Sequence, residues 1–305
     1  MATIVECVPI FSEGRRDWVI DELLGAVRSV AGVRVLEVEK DPDHNRTVVA
    51  FAGAPEPVLE AAFRVVRRAA DLIDLDQHEG AHPRIGAADV VPFVPVAGVS
   101  LADCAELARR LGRRLGEELG LPVYLYGKAA TRPERRELPD IRRGEYEGLK
   151  VAIASDPARA PDFGPARLGP AGATVVGARL PLIAYNINLQ TDDVAVAKTI
   201  ARKVRESAGG LPAVRAIGLS LAGTGQVQVS LNLTDYRRTG LLTAFRAVSD
   251  EAASPGVEVA GSHVVGLLPA EALAEVVAET LRSPNFAADR ILERALLVRA
   301  EEEPS

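Results

Sequence analysis

Two of the four histidines in the chain fall in one short stretch, His78-Glu79-Gly80-Ala81-His82-Pro83-Arg84-Ile85-Gly86. An imidazole titrates near neutrality, so it can take up a proton and give it back without a large shift. A guanidinium two residues away offers a planar fork for a carboxylate. Pro83 removes an amide donor and disfavours the α conformation for His82. Gly80 and Gly86 open backbone angles closed to other residues. The stretch therefore reads as a loop, and loops on rigid elements are where catalytic groups concentrate. The stretch is the candidate seat of the chemistry. His78 lies four residues earlier, a spacing that suits a metal only on a helix. Gly80 and Pro83 argue against a helix there, so His78 reads as a loop or dimer-contact residue and no metal is expected.

Two subdomains must position this loop. Hydrophobic periods alternate between two and three-to-four residues, the mark of an α/β chain. Thr3–Ile10 reads as a strand, Asp17–Val30 as a helix with Trp18, Ile20, Leu23, Leu24 and Val27 on one stripe, and 33–38 and 47–52 as strands. Helices at 57–73 and 101–119 and strands at 88–96 and 123–126 follow. Residues 128–148 are charge-rich and read as solvated surface. Residues 155–178 are crowded with Pro, Gly and Ala and show no period, which marks a binding segment or linker and places a domain boundary near its end. The second half reads strand 182–189, helix 192–207, strand 214–221, a hairpin turn at Ala222-Gly223-Thr224-Gly225, strand 226–234, helix 241–252, strand 257–268 and helix 269–281. The expected fold is α/β (α+β), two ferredoxin-like βαββαβ subdomains, 1–178 and 179–305, side by side with a ligand cleft between them. On 182–190 and 226–234 the residues Asn186, Asn188, Gln190, Gln226, Gln228 and Asn232 share one face. That face reads either as a plain solvent face or as an amide-lined floor for a polar heterocycle.

The chain has 305 residues, 48% hydrophobic and 26% charged, room for two domains of an ordinary globular protein. Its formal charge of −6 counts against nucleic-acid or anionic-membrane partners. No basic segment followed by an apolar core opens the chain and no run is long enough to span a bilayer, so a cytoplasmic location is expected. Cys7 and Cys104 lie in apolar patterns and read as buried, reduced thiols, too few for a zinc site.

Several stretches together resemble the formiminotransferase family: Val5-Glu6-Cys7-Val8-Pro9 with Phe11-Ser12-Glu13-Gly14, Asn45-Arg46-Thr47, His82-Pro83-Arg84 with Gly86, 122–127, 161–165, Asn186-Ile187-Asn188-Leu189, and Asn232-Leu233 with Asp235. The resemblance runs along almost the whole chain. It implies transfer of a formimino group from N-formimino-L-glutamate to tetrahydrofolate as co-substrate, giving 5-formiminotetrahydrofolate and L-glutamate in histidine degradation. It implies a homodimer, no metal, and a separate cyclodeaminase acting downstream. His82 matches the family's catalytic histidine. Two segments match its folate contacts: Phe163-Gly164-Pro165-Ala166-Arg167-Leu168-Gly169-Pro170-Ala171-Gly172 and Val214-Arg215-Ala216-Ile217-Gly218-Leu219-Ser220-Leu221-Ala222-Gly223. Candidate donor-binding residues are Glu6, Glu39, Arg46, Arg84, Arg179, Asn186, Asn188 and Asn232. Each arginine serves equally well as a structural ion pair. Ile10 stands where the family has Asn and Glu39 where it has Asp. Ile10 keeps a related donor, N-formylglutamate or formiminoglycine, in view. A non-catalytic folate-binding protein is the reading from another class.

Overall fold

The computed structural model describes residues 3–42, 44–80, 82–221 and 224–292. The chain divides into two compact units, residues 1–179 and 180–305. The first expected strand is two pieces, β1 (Ile4–Cys7) and β2 (Ile10–Phe11), broken at Val8-Pro9. Then come α1 (Asp17–Arg28), β3 (Arg34–Asp41), β4 (Arg46–Gly53), α2 (Pro55–Leu72), β5 (Ala88–Ala97), α3 (Leu101–Leu119) and β6 (Val123–Gly127). Two short helices, α4 (Leu138–Ile141) and α5 (Glu145–Ala152), and strand β7 (Thr174–Ala178) complete this unit.

Its seven strands form one sheet. β3 pairs with β4, β4 with both β1 and β2, and these with β5, all antiparallel. β7 then lies parallel between β5 and β6. Helices α1, α2 and α3 cover one face, where Val5, Cys7, Val49, Phe51, Val91 and Phe93 meet Leu23, Val65 and Leu111. The sequence of α3 shows why it forms. Ser100 and Asp103 make a reciprocal capping box, Gly120 closes it at φ 62°, and Cys104, Leu107, Leu111 and Leu115 are buried along one stripe. Both thiols are fully buried in this core. Burial, with Asp103 adding to it, pushes the Cys104 thiol up to about 12, and burial holds Cys7 well above its usual value.

The structure corrects several expectations. Trp18 is 56% exposed; Val19 takes its place on the buried stripe of α1. The aperiodic run 155–178 ends in β7, a strand fully buried in mid-sheet, whose five residues were too few to show a period. The charge-rich run is more than surface. It contributes α4 and α5, whose Ile141 and Leu149 pack with Val90, Tyr124, Tyr126 and Val175 on the sheet's second face. Arg135 within it is 3% exposed and ion-paired to Asp162 at 2.8 Å.

The second unit is β8 (Ile183–Leu189), α6 (Val194–Val204), β9 (Val214–Leu221), β10 (Gln226–Leu233), α7 (Leu241–Ala253), β11 (Val259–Val265) and α8 (Ala274–Thr280). Its antiparallel sheet has the order β11-β8-β10-β9. This is fourth, first, third, second in chain order, so the first and third strands are central neighbours. The expected helix 269–281 is a 3-10 turn followed by α8, and the expected strand 257–268 is shortened to β11. Ala222 and Gly223 of the expected hairpin lie outside the described residues. Among the described residues no helix is long and apolar enough to cross a membrane.

Candidate functional site

His82 sits on the loop between α2 and β5, and that loop is fastened from three sides. Ser12 Oγ donates to Gly86 O at 2.7 Å, and Ile85 N donates to the buried Asp89 carboxylate at 2.8 Å. Ala173 N donates to Ile85 O at 2.9 Å, and Ala87 N to Ala171 O at 2.8 Å. Gly86 is required here, because a Cβ on it would lie 1.9 Å from Ala173 O. The end of the segment 163–172 thus braces the histidine loop. Its start is packed into the fold, with Phe163 against Gly112 and Gly116 of α3 and beneath the Arg113 guanidinium.

A second hub is Asn45, 8% exposed and at φ 48° between β3 and β4. Its side chain accepts from Gly14 N at 2.9 Å and donates to Glu79 O at 3.0 Å. His78 bonds the Asn45 carbonyl through Nε2 at 2.9 Å and accepts from Arg84 Nε at 3.2 Å through Nδ1, so both of its ring nitrogens serve the loop. Arg84 sends its fork to Glu147 at 2.7 and 2.9 Å and also reaches Glu145. Of its two readings, ion pair or donor ligand, the ion pair is the one formed.

These loops surround a small pocket lined by Ile10, His44, Asn45, Arg46, His82 and Asp89, among others. Its volume of about 10 Å³ is room for about one water. His82 Nδ1 lies 2.9 Å from Pro83 O. A carbonyl only accepts, so Nδ1 carries the hydrogen and Nε2 presents its lone pair. Burial, then the positive charges of Arg46 and Arg142, lower the imidazole to about 4 against the opposing pull of the Pro83 carbonyl and Asp89. The ring is therefore neutral at physiological pH.

Arg46 is itself largely buried. Burial and the like charge of Arg142 lower it, while Asp89, Asp41 and Glu39 oppose this. Arg142 is ion-paired with Asp89, and its Nε is buried with no hydrogen-bond partner.

Register places Glu6, Glu39 and Arg46 on one face of the sheet, opposite α1 to α3, since Glu6 pairs Ala52, Glu39 pairs Val48, and Arg46, Val48 and Ala52 alternate along β4. Burial raises the Glu6 carboxyl, with Arg179 opposing and Glu37 assisting. Arg179 is thus near Glu6 rather than at the His82 pocket.

In the second unit Asn188 pairs Gln228 and Asn186 pairs Ser230. Gln228 Nε2 donates to Asn188 Oδ1 at 2.9 Å, so the amides bond across the sheet on the face opposite the buried Ile187 and Val229. Asn232 sits exposed beside Arg215. The same face also carries Ile217, Leu219 and Leu221 of β9, an apolar edge that the sequence reading left out. Of the segment 214–221, Val214, Ala216 and Gly218 face the helices instead. A Cβ on Gly218 would meet the α6 backbone at 2.3 Å.

Sequence reasoning missed His44, Asp41 and Arg142. His44 Nδ1 is hydrogen-bonded to the Asp41 carboxylate, and the His44 and His82 rings stand edge to face with centroids 6.0 Å apart. The signal was the clustering of Asp41, His44, Asn45 and Arg46 at one strand turn. Arg142 gave none, lying within a charge-rich run.

The site thus sets an imidazole beside a guanidinium, on a loop braced by an α/β sheet. The chain matches the formiminotransferase domain, N-terminal subdomain, over residues 4–179 and the formiminotransferase domain over residues 184–286. It is 46% identical over 296 residues to a glutamate formimidoyltransferase of Thermoplasma acidophilum, covering 96% of this chain and 97% of that one. It is 42% identical to a glutamate formimidoyltransferase of Streptococcus pyogenes serotype M1, covering 97% and 100%. Against a formimidoyltransferase-cyclodeaminase of Sus scrofa it is 45% identical over 94% of this chain and 54% of the longer protein. The chain belongs to the formiminotransferase family. It is a transferase of that family.

Proposed function

We propose that this chain transfers the formimino group of N-formimino-L-glutamate to N5 of tetrahydrofolate. The observation that carries this is the convergence of the neutral His82 and the guanidinium of Arg46 on one pocket. Arg46 takes a donor carboxylate, which places the amidine carbon near His82. N5 attacks that carbon as Nε2 of His82 accepts the N5 proton, giving a tetrahedral intermediate. Collapse breaks the bond to the glutamate nitrogen, which must gain a proton. Arg46 has a second effect. It is one of the charges that depress His82, so a bound carboxylate offsets it and strengthens the base only once the donor is in place. The segments 163–172 and 214–223 are read as folate contacts, and Asn186, Asn188 and Asn232 as candidate donor-binding residues. Ring closure of the product would fall to a separate cyclodeaminase.

The test is a spectrophotometric transfer assay with tetrahydrofolate and three donors: formiminoglutamate, formiminoglycine and N-formylglutamate. Formiminoglutamate is expected to give the highest kcat/KM. Ile10 lines the pocket where the family has Asn, and preference for another donor would assign that choice to this wall. Folate binding with turnover on no donor would leave a binding protein and end the proposal.

A further inference from the structure

The mechanism above leaves one proton unassigned, the one the departing nitrogen must receive. His82 holds the N5 proton and can return it only if one ring reaches both nitrogens. A second imidazole stands in the same pocket. His44 has its Nδ1 against Asp41 Oδ2, and its backbone N also donates to Asp41 Oδ1 at 2.9 Å. Both carboxylate oxygens thus fix one residue. A carboxylate only accepts, so Nδ1 carries a hydrogen and Nε2 is the nitrogen left to do chemistry. The pair is partly open, with side-chain exposures of 34% and 43%, so it adds little to stability. Its backbone placement is nevertheless tightly set. Asp41 is the last residue of β3, in register with Arg46, and Asn45 ties the turn to residues 14 and 79.

We propose that His44, oriented by Asp41, is the general acid that protonates the leaving glutamate nitrogen, with His82 as the base toward N5. This rests on formimino transfer being the reaction. In the step, His82 Nε2 takes the N5 proton while the N5–carbon bond forms. The carbon–nitrogen bond to glutamate then breaks as His44 Nε2 gives its proton to that nitrogen. His82 is left protonated and His44 neutral, and one proton passing between the two rings restores the start. Net, the N5 proton ends on glutamate and nothing else is consumed. Asp41 holds the tautomer and orientation of His44, as a carboxylate does for the base of a hydrolytic triad. Two rings divide the labour between a site beside positive charge and a site beside negative charge.

The experiment compares wild type, His44→Gln, Asp41→Asn and His44→Gly in the formiminoglutamate assay. His44→Gln is expected to lose about a hundredfold in kcat with the donor KM within about threefold, and Asp41→Asn about tenfold. Added imidazole is expected to restore at least about tenfold of the His44→Gly loss, which a merely structural role would not allow. A kcat for His44→Gln within about threefold of wild type, a loss confined to KM, or a His44→Gly variant that imidazole fails to restore would each overturn the assignment. Wild type inactive with this donor would instead overturn the reaction itself, and the assignment with it.

Discussion

At the scale of single residues, His82 and Arg46 have separable roles. Replacing His82 with Ala is expected to lower kcat by about two to four orders of magnitude, measured as formiminotetrahydrofolate formed per enzyme. Burial and two arginines depress the ring, so in the free enzyme it is neutral above about pH 4. The acid limb of kcat/KM assigned to His82 should therefore fall near pH 4. The matching limb of kcat, which reports the complex, should lie higher because the donor carboxylate offsets Arg46. Arg46→Met should raise the kcat/KM limb, since a depressing charge is gone, and raise the donor KM by at least about tenfold, the effect of losing a charged hydrogen bond. A limb that stays in place in Arg46→Met would show that burial alone sets this base. His82 was legible because its neighbours Pro83, Gly80 and Gly86 forbid a helix there. Arg46 was legible only as a candidate, because whether an arginine is paired depends on distant residues. His44 was not, because its role comes from the strand turn that brings it to His82 across a gap of nearly forty residues.

At the scale of elements, the histidine loop owes its shape to backbone contacts with residues 171–173. Gly86→Ala puts a methyl into Ala173 O, and neither backbone can yield without opening the bridge to Gly172. A loss of about 1–3 kcal/mol is expected from the urea midpoint, with kcat falling alongside because His82 moves. The strands and long helices were readable from period alone, α3 to the residue, because each has one buried stripe. Strand β7 escaped because it is short and buried on both faces, so no alternation marks it. Helices α4 and α5 escaped because their few apolar residues, Ile141, Tyr146 and Leu149, are diluted among charges.

At the scale of the whole molecule, the buried clusters among the described residues divide between two units, two on the sheet faces of residues 1–179 and one in 180–305. Unfolding is therefore expected to depart from a single two-state step, with the calorimetric enthalpy exceeding the van't Hoff value. Gly86→Ala should lower only the transition belonging to the first unit. The chain carries its own reporter for that assignment. Cys7 and Cys104 are both sealed inside the first unit with their thiols held in the unreactive protonated form. An alkylating reagent should leave the native protein unlabelled, and the rate at which it marks these two sulfurs would count how often that unit swings open, while staying blind to the other.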